Sequence, residues 1–332
     1  MNKSSRNEVV DMIRGFAAIA TLLSHAIQRG LYPASITENP IFAYIRPWYM
    51  TSFILCSGYI LSRSVQRKRS FSIGKKAKHL VIPTFVWSII LWAISGWEFV
   101  GIKWYFNFEA YNLFQYVKML MINPTYVIWF LWVIFVLTCI TSLAWYLTNW
   151  IYKQKSENKN RVIVEVSLMI LFLLTLSSIK WNAYMGIQSI NYYYIYFVCG
   201  WAVGYINDKK VIHGLVLIVT SLCMMIKIAY YFGIVSYNVD SWLLIGIIYL
   251  ISYYIVKFQE NAIIKFVKNI VSWFGQNSLS IYLCQTTCLN IGIGTGWFRV
   301  FAIFVTATTI SVIMTILIKK VKPLSIVLLG DF

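Results

Sequence analysis

Asp11, Arg14 and His25 are the ionisable side chains of the first apolar segment, residues 9–28. On a helix turning about 100° per residue, Arg14 falls at about 300° and His25 at about 320° from Asp11. The three therefore share one narrow stripe, interrupted mainly by Ala18. An ionisable stripe on an apolar helix must face protein or a water-filled cavity. Asp11 and Arg14, spaced i,i+3, can neutralise each other locally. His25 lies about 21 Å along the axis from Asp11, against about 30 Å for a bilayer core. A neutral imidazole is cheap to bury and takes up a proton near neutral pH, the chemistry of a general base. The lesser alternative is that it caps a helix or bonds a neighbouring one.

The elements that must hold this stripe are membrane helices. Of 332 residues, 59% are hydrophobic and only 12% charged, where soluble domains carry roughly twice that charge. Charge-free runs cover 119–152, 181–206, 269–298 and 300–318, lengths suited to one span and a loop. Apolar runs between charge clusters predict about ten spans, at 9–28, 45–62, 80–97, 126–150, 162–179, 187–206, 211–231, 241–256, 272–291 and 299–318. Residues 104–122 read instead as an interfacial amphipathic helix. The expected fold class is thus an all-α integral membrane protein, one membrane domain over 1–332 with no separate soluble domain.

Net charge is +18, and its placement decides what it means. With the N-terminus inside, the inner loops collect Lys3, Arg6, the cluster from Arg63 to Lys78, Lys153 to Arg161, Lys209, Lys210, Lys257 to Lys268, and Lys319 to Lys322. The outer side and span ends hold only Arg29, Arg46, Lys103, Lys118, Lys180, Lys227 and Arg299. That asymmetry favours an even number of helices with both termini cytoplasmic. The basic surface faces anionic lipid, not nucleic acid. Cys56, Cys139, Cys199, Cys223, Cys284 and Cys288 all lie in apolar stretches without metal-type spacing, as buried thiols do. His25, His79 and His213 are far apart and lack ligand spacing, so no metal site and no permanently bound cofactor are expected. The first segment has no cleavage pattern of a secretory signal.

Several motifs occur in a fixed order. The first is Arg6-x4-Asp11-x2-Arg14-Gly15-x-Ala17, followed by His25. Next come Cys56-Ser57-Gly58-Tyr59; the basic stretch Lys75-Lys76-Ala77-Lys78-His79 leading to Pro83; Trp129-Phe130-Leu131; and Gly275-Gln276-Asn277-Ser278 running to Ile281-Tyr282-Leu283. This set resembles the membrane acyltransferase family 3, bacterial inner-membrane proteins that acylate sugars of surface glycans. Three positions depart from the family pattern: Lys76 and His79 stand where arginines are usual, and Gln285 stands where the late segment usually ends in His.

The resemblance implies an O-acyltransferase, with acetyl-CoA or another acyl-CoA as donor and an envelope or capsular polysaccharide, or a lipid-linked precursor, as acceptor. His25 and Asp11 become the candidate catalytic residues, with His25 either general base or transient acyl carrier. Arg14, Lys76 and His79 are the candidates for donor phosphates. Ser57, Gly58, Trp129 and Tyr282 are the candidate pocket residues. Ser57-Gly58 reads equally as small-residue helix packing, and most aromatics, Tyr192 to Tyr196 included, as interfacial belts. Glu98, Glu109 and Asp240 read as solvated outer acids, Glu165 as the i,i+4 partner of Arg161, Lys227 as a snorkelling lysine and His213 as interfacial. Homo-oligomers and polysaccharide-synthesis partners are the expected protein contacts. A transporter or flippase of a polysaccharide precursor would use the same stripe as a path, and a scaffold in a glycan-synthesis complex would not need it.

Overall fold

The computed structural model describes residues 7–31, 39–68, 70–94, 98–99, 102–103, 112–122, 125–152, 159–178, 187–234, 239–286 and 294–331. Arg6, Glu109 and Cys288 lie outside them. The described chain is predominantly helical: α1 (Glu8–Gly30), α2 (Pro40–Ile45), α3 (Tyr49–Lys68), α4 (Ile73–Ala93), α5 (Leu113–Ile122), α6 (Thr125–Ile151), α7 (Lys159–Ser178), α8 (Ile187–Val203), α9 (Lys209–Tyr231), α10 (Asp240–Lys257), α11 (Ala262–Gln276), α12 (Ser278–Gln285), α13 (Gly296–Lys320) and α14 (Lys322–Leu324). Glu98–Phe99 (β1) and Ile102–Lys103 (β2) pair as a short antiparallel ladder between α4 and α5.

Among the described residues, five helices are long and apolar enough to cross a membrane: α1, Ile128–Ile151 of α6, α9, α10 and α13. On α9, Leu217, Ile218, Leu222 and Met225 point outward and uncovered, as side chains do where the solvent is lipid. Caps mark where several helices begin. Asn7 starts α1 by accepting from the Val9 N–H at 3.1 Å. Asp208 does the same for Lys210 at 2.8 Å before α9, and Asn261 for Ile263 at 2.9 Å before α11. In each case a side-chain oxygen satisfies an N–H that the helix leaves open.

One expected element is corrected. Residues 272–291 read as a single span, but α11 begins at Ala262 and stops at Gln276, and α12 starts afresh at Ser278. The break falls at Asn277, whose backbone leaves the helical region (φ −105°, ψ 12°) while its Nδ2 donates to the Trp273 carbonyl at 2.8 Å. An asparagine amide bonding its own helix competes with the next helical turn.

The chain divides into two compact units, one from residues 1–56 and 206–315, the other from 57–205 and 316–332. In the first, α1 packs chiefly on α11, and also on α10 and α12. The α1–α11 contact is a backbone-to-backbone crossing. A Cβ on Gly15 would overlap the Val271 carbonyl, and one on Gly275 would overlap the Asp11 carbonyl and approach the Gly15 N–H. Small residues allow helices this approach. α9 and α10 form a hairpin closed by Lys227 Nζ and Asp240 Oδ1 at 2.6 Å. The lysine is thus held by an ion pair, not merely snorkelling, and Asp240 is not simply a solvated acid. His213 stacks on Tyr253 with ring centroids 4.1 Å apart.

In the second unit α4, α6, α7 and α8 pack side by side. Its buried carboxylate is Glu165, which accepts from Arg161 Nε at 3.2 Å, Trp201 Nε1 at 3.2 Å and the Tyr205 hydroxyl at 2.6 Å. Arg161 also reaches Asn149. The expected Arg161–Glu165 pair is there, with three further partners the spacing did not announce. A buried charge is tolerated when paired and hydrogen-bonded this fully.

Replacing Gly275 by Ala should destabilise the first unit by about 1–3 kcal/mol, because the methyl group must push the α1 backbone away. Gly214→Ala, with nothing near its added methyl, should be neutral or slightly stabilising. Thermal unfolding of the two purified variants in detergent checks the contrast; equal midpoints would remove the close crossing as a structural constraint.

Candidate active site

The Asp11 end of the stripe is assembled by the α1–α11 crossing. Asp11 is 4% exposed and accepts a long hydrogen bond from Gln276 Nε2 at 3.5 Å. Arg14 extends to the start of α12, where its Nη2 donates to Ser278 Oγ at 2.8 Å. Cys56 of α3 lies close enough to feel the charges of both Arg14 and Asp11. On the exposed flank Lys268 Nζ bridges to Glu8 at 3.1 Å and donates to Gln259 at 2.6 Å. Ser278, which meets Arg14, is the first residue of α12 after the break at Asn277.

His25 sits three turns further along α1, half-buried. Its Nδ1 lies 3.2 Å from Gln28 Oε1. An amide oxygen only accepts, so Nδ1 carries the proton and Nε2 presents the basic lone pair. No hydrogen bond reaches Nε2 among the described residues. Beside it, Ser24 Oγ donates to the Tyr49 hydroxyl at 3.4 Å, tying α1 to the start of α3. The separation of about 21 Å along one helix means Asp11 cannot orient or relay protons to His25 directly. Asp11 works with Gln276, and Gln28 is the residue that orients the imidazole.

Tyr282 and Gln285 lie buried on α12, in the same unit as the stripe. The remaining candidates belong to the other unit, and each has local work there. A Cβ on Gly58 would overlap the Phe197 carbonyl, so the close approach it permits is between α3 and α8. Ser57 precedes it, half-buried. Trp129 stacks on Tyr193 with centroids 5.4 Å apart and planes at 24°, just after a kink at Ile128 in α6. Lys76 is half-buried on the first turn of α4. His79 Nδ1 donates to the Gly330 carbonyl at 2.6 Å, and Trp87 Nε1 donates to Leu328 at 2.8 Å. These two bonds clamp the C-terminal turn, Ser325–Leu329, onto α4; Gly330 closes it at φ 71°. One nitrogen of His79 is therefore committed to the C-terminus, leaving Nε2 for any other task.

Sequence reasoning missed Gln28, Gln276 and Ser278 as partners of the stripe. Gln28 was within reach, because an amide three residues after a histidine lies on the same helix face. The other two depend on how α11 crosses α1.

Residues 7–319 match the family model described as acyltransferase domain, so the chain belongs to the membrane acyltransferase family 3. No curated protein and no solved structure matches it.

Gln28→Leu should lower acyl transfer about tenfold, part of the 10²–10⁴-fold that a positioned base supplies. Gln28→Glu, which keeps the acceptor for the Nδ1 proton, should retain most of the rate. Initial rates of the two variants in isolated membranes test this, and equal losses would remove the orienting role.

Proposed function

We propose that this chain is an integral-membrane O-acyltransferase of a bacterial cytoplasmic membrane. It moves an acyl group, acetyl in the simplest case, from a cytoplasmic acyl-CoA to a hydroxyl of an envelope or capsular polysaccharide or its lipid-linked precursor. The observation that carries this reading is the family match along nearly the whole chain. It is supported by a half-buried imidazole on a polar stripe, with its proton placed on Nδ1 by Gln28.

The proposed topology has about ten spans with both termini in the cytoplasm. The basic stretch from Lys75 to His79 then faces the compartment that holds the donor and draws its phosphates by charge. Arg14 lies at the cytoplasmic end of the stripe and His25 in the outer half. The donor's pantetheine arm is thin enough to enter where its nucleotide is not.

In the reaction, His25 Nε2 takes the proton of the sugar hydroxyl as that oxygen attacks the thioester carbonyl. The tetrahedral intermediate collapses, the carbon–sulfur bond breaks, and the thiolate leaves with the proton from the imidazolium. The products are the sugar ester and free coenzyme A thiol. The same imidazole could accept the acyl group first and pass it on, with the same overall balance.

His25→Ala should reduce acylation of the cell's surface glycan by at least about 10²-fold, the lower end of what a general base contributes. The variant's level in the membrane should be unchanged. Ester groups released by mild alkali and quantified against wild type measure it. Full acylation by the variant would remove the enzymatic reading, whereas lost glycan export with normally acylated precursor would point to a transporter.

A further inference from the structure

Gln285, the last residue of α12, is 1% exposed, and neither its Oε1 nor its Nε2 has a hydrogen-bond partner among the described residues. An amide withdrawn from water with both ends open is costly, and native structures seldom keep one without a use. Ser88, Thr21, Thr138 and Thr148 are buried too, but each donates to a carbonyl one turn back in its own helix. Ser252, Ser272, Ser311 and Thr315 lack a partner as well, but among the described residues Gln285 is the one with two buried polar atoms open.

Helical phase and two anchors show where the amide stands. On α12, Ser278, Tyr282 and Gln285 fall within about 60° of one another. Ser278 meets Arg14, so this face of α12 looks at α1. The other anchor is Gly30, against which the Val300 backbone of α13 packs so closely that a Cβ would overlap it. The two anchors, Ser278 at Arg14 and Val300 at Gly30, lie about 24 Å apart along α1. α12 packs on α1, and the order of the two anchors along α1 gives it the same sense as α1. Seven residues raise Gln285 about 10 Å above Ser278, level with Thr21 and about one turn below His25. Arg14, Ala18, Thr21 and His25 share the stripe it faces. The Thr21 hydroxyl is occupied with Ala17, and Ala18 between them is a small side chain.

Resting on the acyltransferase reading above, we propose that the Gln285 side-chain amide is the donor that holds the acyl carbonyl oxygen of the thioester. As the hydroxyl oxygen, deprotonated by His25, forms its bond to the carbonyl carbon, the carbonyl electrons move onto that oxygen. Nε2–H donates to the resulting oxyanion. When the carbon–sulfur bond breaks, the electrons return and the amide again faces a neutral carbonyl. An amide is suited to this place because it donates without carrying charge through the membrane interior.

The test uses the full chain in membranes of its own host, which supply the acceptor, with radiolabelled acetyl-CoA. Gln285→Met removes the N–H and keeps the volume. It should lower kcat about 10²-fold, the loss expected for an oxyanion donor, with KM for acetyl-CoA little changed. Its thermal midpoint should stay level or rise, since an unpaired buried amide has been removed. Gln285→His restores an N–H and should recover most of the rate. Wild-type kcat in Gln285→Met overturns the proposal, as does a loss that tracks a fall in thermal midpoint and is not recovered by His. If His25→Ala is inactive while Gln285→Met is fully active, this assignment fails and the acyltransferase reading stands. If His25→Ala is itself fully active, the underlying reading fails first.

Discussion

Gly15 of α1 and Gly275 of α11 each lie where a methyl group would collide with the other helix's backbone, Val271 on one side and Asp11 on the other. This double contact fixes the distance and angle between the two helices more tightly than interdigitated side chains could. Within lipid, helices gain little from excluding water from each other, so close backbone packing is a main source of their association. The polar end of the stripe depends on it. Gln276 reaches Asp11, and Ser278 reaches Arg14, because the crossing delivers the end of α11 to that height on α1.

The first unit then uses a discontinuity to bring a second polar helix alongside. α11 ends at Gln276, Asn277 bonds back to Trp273, and α12 starts with Ser278 against the Arg14 guanidinium. Non-helical backbone at membrane depth is tolerated where protein surrounds it, and Asn277 is buried.

The second unit handles its buried polar groups differently. Glu165 is surrounded by Arg161, Trp201 and Tyr205, so both carboxylate oxygens are met. Networks satisfied to this degree hold helices in one arrangement. The C-terminal turn adds a second fastening, through His79 and Trp87 to carbonyls of the last residues. By contrast, His25 and Gln285 keep reactive or hydrogen-bonding capacity unspent. Among the described residues, Thr141, Asn191 and Tyr194 of the second unit also keep a buried polar atom without a partner; Gln285 differs in having both ends of one amide open.

Composition and periodicity alone determined that the chain belongs in a membrane, that Asp11, Arg14 and His25 share a helix face, and that Arg161 pairs with Glu165. Each follows from spacing within one helix or from average polarity, quantities that tertiary packing does not alter. Ordered motifs along the chain were enough to reach the acyltransferase family. What only the tertiary structure decided involves groups distant in sequence. Gly58 turned out to face α8, His79 to hold Gly330, Lys227 to pair with Asp240, and 272–291 to be two helices. Gln285 proved to be a buried amide with open ends, where sequence registered only a departure from the usual His. Helical phase can be read from one segment, but which neighbour a face meets, and whether a polar atom is left unmet, depends on backbones brought together from distant parts of the chain.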